Sequence, residues 1–391
     1  MSEWNQVVLD DVSSKIGDGL HGTPTYDDKG LYSFINGNNL LNGRIVIKPE
    51  TKRITEEEYL KIVKPLDDST ILISINGTIG NVAKYRDELC ALGKSACYIN
   101  LDTNLVDRDF FYYECLSDNF QSHLENVATG TTIPNVPLKG IRAYKFNLPS
   151  LPEQKAIASV LSSLDDKIDL LHRQNKTLEA MAETLFRHWF MEEAKEDWEE
   201  KPLSSIATFT NGLACQKYPP QPNEPKLPVL KIKDLTSGIS DSSDWATANV
   251  DPKYIVNHGD VIFAWSASLM VKIWFGETCV LNQHLFNVTS DEYPKWFFYQ
   301  WCKYHLEEFI SISQSHATTM GHIKRKDLDE AIVKVPSQSE LQEMTSSFEP
   351  LMDKLITNLK QIQTLENLRD TLLPKLMSGE VRVQYQTEEV A

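Results

Sequence analysis

No stretch of this chain approaches the roughly 18 consecutive apolar residues of a membrane span, and Met1 to Asp11 lack the basic and apolar regions of a secretion signal. A cytoplasmic protein is therefore expected. The six cysteines, at 90, 97, 115, 215, 279 and 302, form no CxxC pair and no zinc-ligand spacing. They read as reduced thiols, mostly in the core. Positive charge is short too: 39 Lys and Arg stand against 55 Asp and Glu, a net charge of -16. Such acidity argues against clamping nucleic acid by bulk charge, so a partner must supply much of any phosphate contact.

Catalytic signatures are scarce as well. No GxSxG occurs, and Gly93-Lys94-Ser95 has only the end of a phosphate-binding loop, because Glu88 stands where its first glycine belongs. Tyr218-Pro219-Pro220 lacks the Asn or Asp that amino-methyltransferases place before such prolines. The nine histidines are scattered, with no second ligand at helical spacing, so no metal or cofactor is expected in this chain. Nothing points to an enzyme.

What the chain does have is a long amphipathic helix that occurs twice. Ser150-Leu151-Pro152-Glu153 reads as a capping box. Behind it Ile157, Leu161, Leu164, Ile168, Leu171, Asn175, Leu178, Ala182, Leu185 and Trp189 follow at alternating gaps of four and three, the a/d seam of a coiled coil. Adding 187 reaches a second box, Ser337-Gln338-Ser339-Glu340, and a second seam through Met344, Phe348, Leu351, Leu355, Asn358, Ile362, Leu365, Arg369, Leu372 and Leu376. Antiparallel pairing with Asn175 opposite Asn358 sets partner numbers to a constant sum of 533. Every seam position then meets a seam position, and Asn175 with Asn358 is expected to fix the helix register.

The globular stretches repeat too. Trp4, Leu9 and Val12 match Trp198, Leu203 and Ile206; Ile71-Leu72-Ile73 matches Val261-Ile262-Phe263; Phe110-Phe111-Tyr112 matches Phe297-Phe298-Tyr299. The spacing predicts an α+β chain: two mixed α/β domains separated by two long helices that form an antiparallel coiled coil, with an internal pseudo-two-fold repeat. The boundaries are 1–149 and 198–336 for the domains, 150–197 for the central helix and linker, 337–379 for the distal helix and 380–391 for a tail. Asp109 to Leu124 reads as one aromatic-faced helix. The proline-rich residues 213–228 have no counterpart in the first copy.

These features together resemble the specificity (S) subunit of Type I restriction-modification systems. Leu151-Pro152-Glu153-Gln154-Lys155-Ala156-Ile157 is similar to that family's helix start, and Gly130-Thr131-Thr132-Ile133-Pro134 to its threonine-containing loop; the second start, Gln338-Ser339-Glu340-Leu341, departs from the pattern. The resemblance implies a non-catalytic subunit that binds double-stranded DNA, with each target-recognition domain reading half of a split target. It further implies two adenine-N6 methyltransferase (M) subunits carrying S-adenosylmethionine, and restriction-translocase (R) subunits using ATP and Mg. A coiled-coil scaffold for protein partners is the alternative reading.

DNA contacts are expected on loop residues that donate and accept hydrogen bonds. In the first domain these are His21, Thr23, Tyr26, Asn38, Asn39, Asn76, Thr78, Thr131 and Thr132. In the second they are Asn211, Lys217, Lys231, Lys233, Trp265, Ser266, Ser268, Thr318, Thr319 and the run Lys324, Arg325 and Lys326.

Overall fold

The computed structural model describes residues 4–130, 132–240, 242–315 and 321–384. Its first repeat contains β1 (Asn5–Val8), β2 (Ser13–Asp18), β3 (Tyr32–Ile35), β4 (Thr70–Asn76), β5 (Thr78–Lys84), β6 (Cys90–Leu92) and β7 (Ala96–Leu101), then α1 (Arg108–Leu116), α2 (Asp118–Val127), β8 (Lys145–Leu148) and the long α3 (Leu151–Arg187). The second contains β9 (Glu199–Pro202), β10 (Thr208–Asn211), β11 (Lys226–Leu230), β12 (Val261–Ala264), β13 (Met270–Ile273), β14 (Cys279–Leu281) and β15 (Leu285–Thr289), then α4 (Lys295–Tyr304), α5 (Leu306–Ser315), β16 (Ile332–Val335) and the long α6 (Gln338–Met377). The α+β repeat expected from the sequence is present.

Each repeat is built on an antiparallel four-stranded sheet, in the order β2-β7-β4-β5 and again β10-β15-β12-β13. Residues 70–75 of β4 and all of β7 are buried, which is why they are continuous apolar runs rather than alternating ones. The Thr70 hydroxyl and the Asn100 carboxamide meet at 3.0 Å, so the polar side chains among them are satisfied. Each repeat also closes with a short antiparallel pair, β1 with β8 and β9 with β16, and carries a parallel one, β3 with β6 and β11 with β14.

Two expectations are corrected. Asp109 to Leu124 is two helices, because Ser117 takes an extended conformation and its hydroxyl accepts from the Phe120 amide, capping α2. Residues 213–228 do have a counterpart: 213–225 lie in the connection from β10 to β11, as Gly19 to Leu31 connects β2 to β3, and 226–228 begin β11 itself. The place is shared although the sequences are not.

The chain divides into two compact units: the stretch up to Lys167 with that from Glu366 onward, and Ile168–Leu365. Each long helix thus contributes to both cores. In the first unit Ile157, Leu161, Leu372 and Leu376 join the cluster built on Phe110, Phe111 and Phe120, and Arg369 pairs with Asp165 at 3.0 Å. In the second, Ile168, Leu171, Ile362 and Leu365 pack as one group. Ala182, Leu355, Leu178 and Leu351 belong to the large cluster around Phe190, Trp296 and Trp301. The antiparallel register with a sum of 533 accounts for all of these.

Asn358 is fully buried and Asn175 nearly so. The Asn358 amide donates to the Asn175 carbonyl at 2.9 Å, leaving Asn175 Nδ2 and Asn358 Oδ1 without a hydrogen-bond partner among the described residues. The Asn358 amide also reaches Gln174 Oε1 at 3.4 Å, but a single hydrogen bond joins the two buried asparagines. Asn358→Leu alone is expected to destabilise by about 1–3 kcal/mol by stranding Asn175, whereas the double Leu variant recovers that loss while weakening the choice of register. Urea unfolding of the two single variants, the double variant and the wild type measures the coupling.

Both helix starts are anchored in one way. Glu340 accepts from the Ser337 amide at 3.0 Å, completing the expected capping box, and also takes the Trp198 indole N–H at 3.2 Å and Lys195. Glu153 takes the Trp4 indole N–H at 3.1 Å and Arg382, whose guanidinium also lies over the Trp4 ring. Gln154, fully buried, accepts from the Asp107 amide and donates to Leu105 O and Pro149 O. The Glu-Gln pair that begins α3 thus ties the helix to its domain.

Candidate nucleic-acid interface

In each repeat two turns follow the two parallel strands. In the first, Asn36–Asn39 follows β3 and Gly93–Ser95 follows β6; in the second, Lys231–Asp234 follows β11 and Asn282–His284 follows β14. Their backbone bonds correspond one for one. Gly93 N donates to Ile35 O (2.8 Å) as Asn282 N does to Leu230 O (3.2 Å). Leu20 N donates to Leu92 O (2.7 Å) as Leu213 N does to Leu281 O (2.9 Å), and Gly19 N to Ala96 O (3.1 Å) as Gly212 N does to Leu285 O (3.0 Å). The cap corresponds too: Asn36 N donates to Asn39 Oδ1 at 2.9 Å and Lys231 N to Asp234 Oδ2 at 2.8 Å. Gly19 and Gly212 are required here, since a Cβ would fall 2.2 Å from Leu92 O or 2.3 Å from Asn282 O.

In the first repeat the turns are joined by Ser95, whose hydroxyl donates to Asn36 Oδ1 and accepts from Gly37 N, both at 2.9 Å. Asn38 and Lys94 are exposed at the tips. His21, Thr23 and Tyr26 are exposed on the loop after β2, with His21 Nε2 2.6 Å from Asp18. Asn76 and Thr78 form the β4–β5 hairpin around Gly77, and the Asn76 amide donates to Asn135 Oδ1 at 3.0 Å. Thr132 is exposed; Thr131 lies outside the described residues. Asn39 departs from the expectation: it is buried, its amide donating to Val46 O and Thr51 Oγ1 while its carbonyl caps the turn. It shapes the loop rather than facing a ligand.

In the second repeat the two turns face an open cleft of about 770 Å³ lined by Lys231, Lys233, Trp245, Gln283 and His284 among others. Lys231 pairs with Asp244 and holds that carboxyl below the usual carboxylate range. Lys233 makes no ion pair among the described residues, and Lys217 is exposed at the end of the short turn Cys215–Lys217. Trp265 is half-buried, its ring 5.7 Å from Phe286 and its N–H donated to Asn211 Oδ1 at 3.2 Å. Ser266 also departs from the expectation, being buried with its hydroxyl 3.0 Å from His284 Nδ1, while Ser268 is exposed. In the basic run all three side chains are exposed: Arg325 donates to Phe209 O, Lys326 pairs with Glu330 at 3.0 Å, and neither Lys324 nor Arg325 makes an ion pair among the described residues. Thr318 and Thr319 lie outside the described residues.

The arrangement offers hydrogen-bond donors and acceptors rather than reactive groups. Burial pushes the Cys215 thiol up to about 11 and that of Cys90 to about 12, so neither supplies a thiolate at neutral pH. Gly17-Asp18-Gly19-Leu20-His21-Gly22 has the GxGxxG spacing of a dinucleotide site, yet it leaves β2 into an irregular loop with no helix to receive a pyrophosphate. Among the described residues no cluster of three His, Cys, Asp or Glu could hold a metal ion, and no helix is long and apolar enough to cross a membrane.

Lys94, Gln283 and His284 also lie on these turns, outside the set of residues expected from the sequence. The signal that marks them is Cys90-Ala91-Leu92 recurring as Cys279-Val280-Leu281 at an offset of 189, which aligns the turns that follow.

Comparison with known proteins decides the family. The model of the Type I restriction modification DNA specificity domain matches residues 1–180 and again 195–367. The chain belongs to that family. Curated relatives span nearly all of it: the Type I restriction enzyme MjaIX specificity subunit of Methanocaldococcus jannaschii is 26% identical over 98% of this chain and 94% of its own length. The EcoKI specificity subunit of Escherichia coli is 24% identical over 90% and 83%. A solved S subunit of a Type I restriction-modification system from M. genitalium shares the fold, with a TM-score of 0.59 and 20% identity over 96% of both chains. DNA recognition without catalysis is therefore the role of this chain.

Proposed function

We propose that each globular repeat reads one half of a bipartite target in double-stranded DNA, and that the helices set the unread gap between the halves. The observation that carries this is one backbone skeleton built twice and tipped with different side chains, which suits two readers of different sequences. A helix of 37 residues measures about 55 Å at 1.5 Å per residue, more than the roughly 34 Å of one DNA turn. Two adenine-N6 methyltransferase subunits dock on the chain and bring S-adenosylmethionine, and R subunits with ATP and Mg join them for cleavage. The net charge of -16 fits an assembly in which these companions supply most phosphate contacts.

Replacing residues 198–336 with the second domain of another family member, in complex with the methyltransferase subunits, is expected to change one half of the methylated motif and leave the other half and the spacing intact. Sequencing methylated genomic DNA reads this directly. A motif altered in both halves, or one with no gap, would overturn the reading.

A further inference from the structure

The tips of the paired turns differ between the repeats in a regular way. In the first repeat the turn after β3 presents an amide, Asn38, and the turn after β6 presents a lysine, Lys94; in the second the turn after β11 presents a lysine, Lys233, and the turn after β14 presents an amide, Gln283. The bonds beneath them are the same, so the backbone presents each tip from one equivalent position. Lysine donates only, whereas a carboxamide both donates and accepts. Asn38, Lys94 and Lys233 are exposed, with no side-chain partner among the described residues, and Gln283 touches only the neighbouring His284 ring, at 3.3 Å. Structural roles have been assigned elsewhere in the turns, to Asn39, Ser95 and Asp234.

Resting on the reading that each repeat recognises its own half-site, we infer that Asn38 and Lys94 in the first repeat, and Lys233 and Gln283 in the second, are the specificity-determining pairs. In the major groove a lysine matches the two acceptors of guanine, O6 and N7, and an amide matches the donor and acceptor of adenine, N6 and N7. Each pair is then one guanine contact and one adenine contact, made from opposite turns in the two repeats. The order of the two contacts along the half-site is inverted between the repeats.

The test is the double exchange Asn38→Lys with Lys94→Gln in the complete complex with its methyltransferase subunits, with methylated motifs read by sequencing and binding measured on a library randomised in one half-site. The first half-site is expected to change at two base positions, with discrimination at each altered on the order of 10- to 100-fold, while the second half-site stays as it was. An unchanged first half-site, with binding retained, overturns the inference and leaves the half-site reading standing. Failure of the wild-type complex to show a bipartite motif removes the half-site reading itself. Gln283→Lys, a single change at a half-buried tip that lines the open cleft, gives the same decision in the second half-site should the double variant not fold; there the adenine position is expected to relax toward guanine, and no change at that position overturns the inference.

Discussion

Phe348→Ala is expected to lower the stability of the second unit by about 3–5 kcal/mol, the range for deleting a buried aromatic ring. Phe348 is 1% exposed and stacks on Trp296 with ring centres 4.3 Å apart and planes 8° from parallel. Trp189, on the helical turn that continues α3, covers it at 5.5 Å. The ring thus fastens α6 to α4 and to α3 at once, and Trp296 is further held by its N–H to Thr345 at 2.9 Å, so the site cannot easily collapse into the space left behind. Seven of the eight tryptophans lie between Ile168 and Leu365, so tryptophan fluorescence during urea unfolding reports this unit with little contribution from the other. Phe348→Leu is expected to cost less, because the first repeat carries Leu161 at the same seam position, 187 residues earlier, where it is fully buried. A loss below 1 kcal/mol for the alanine variant would mean that the stack contributes little.

Glu114 sets a pH dependence in the first unit. It is 5% exposed, accepts from the Tyr144 hydroxyl at 2.5 Å, and burial pushes its carboxyl up to about 7 against that hydrogen bond. A carboxyl raised in the folded state favours folding while it is protonated in both states, below about 4.5, and that advantage is lost as pH rises through 7. The change is on the order of 3 kcal/mol. Glu114→Gln keeps the acceptor for Tyr144 and cannot ionise, so its stability relative to wild type should rise by about that amount between pH 4.5 and pH 8. A difference independent of pH would show that Glu114 titrates normally. The second repeat avoids the cost: 187 residues on, the two positions hold Trp301 and Ala331, both buried.

The helices and their register were legible because a seam is a local pattern and the offset of 187 copies it residue for residue. Asn175 and Asn358 stood out as the only amides in two runs of otherwise mostly apolar positions. Sheet strands such as β4 were legible for a similar reason, being buried and continuous. The turns were not. Asn38 and Asn39 are neighbours of one residue type, yet one is exposed and the other is consumed by three hydrogen bonds, a distinction set by the path of Val46 and Thr51 rather than by sequence. Lys94 was hidden by the same principle, since its turn is defined by backbone bonds to Gly19, Leu20 and Ile35 that lie far from it along the chain. The two-helix break at Ser117 is hidden in the sequence because Phe110 to Leu124 keeps an apolar rhythm through it.

The carboxylates that anchor the long helices differ in covalent history. Glu340 is gripped by Lys195 and Trp198, close neighbours on one stretch of chain, while Glu153 is gripped by Arg382 and Trp4. Arg382 stands 187 residues after Lys195, so a cation follows each helix at the same place, and it reaches its indole through the chain in one case and through space in the other. A polypeptide tied between Arg382 and Trp4 and severed between Lys195 and Trp198 would keep every bond named at both carboxylates.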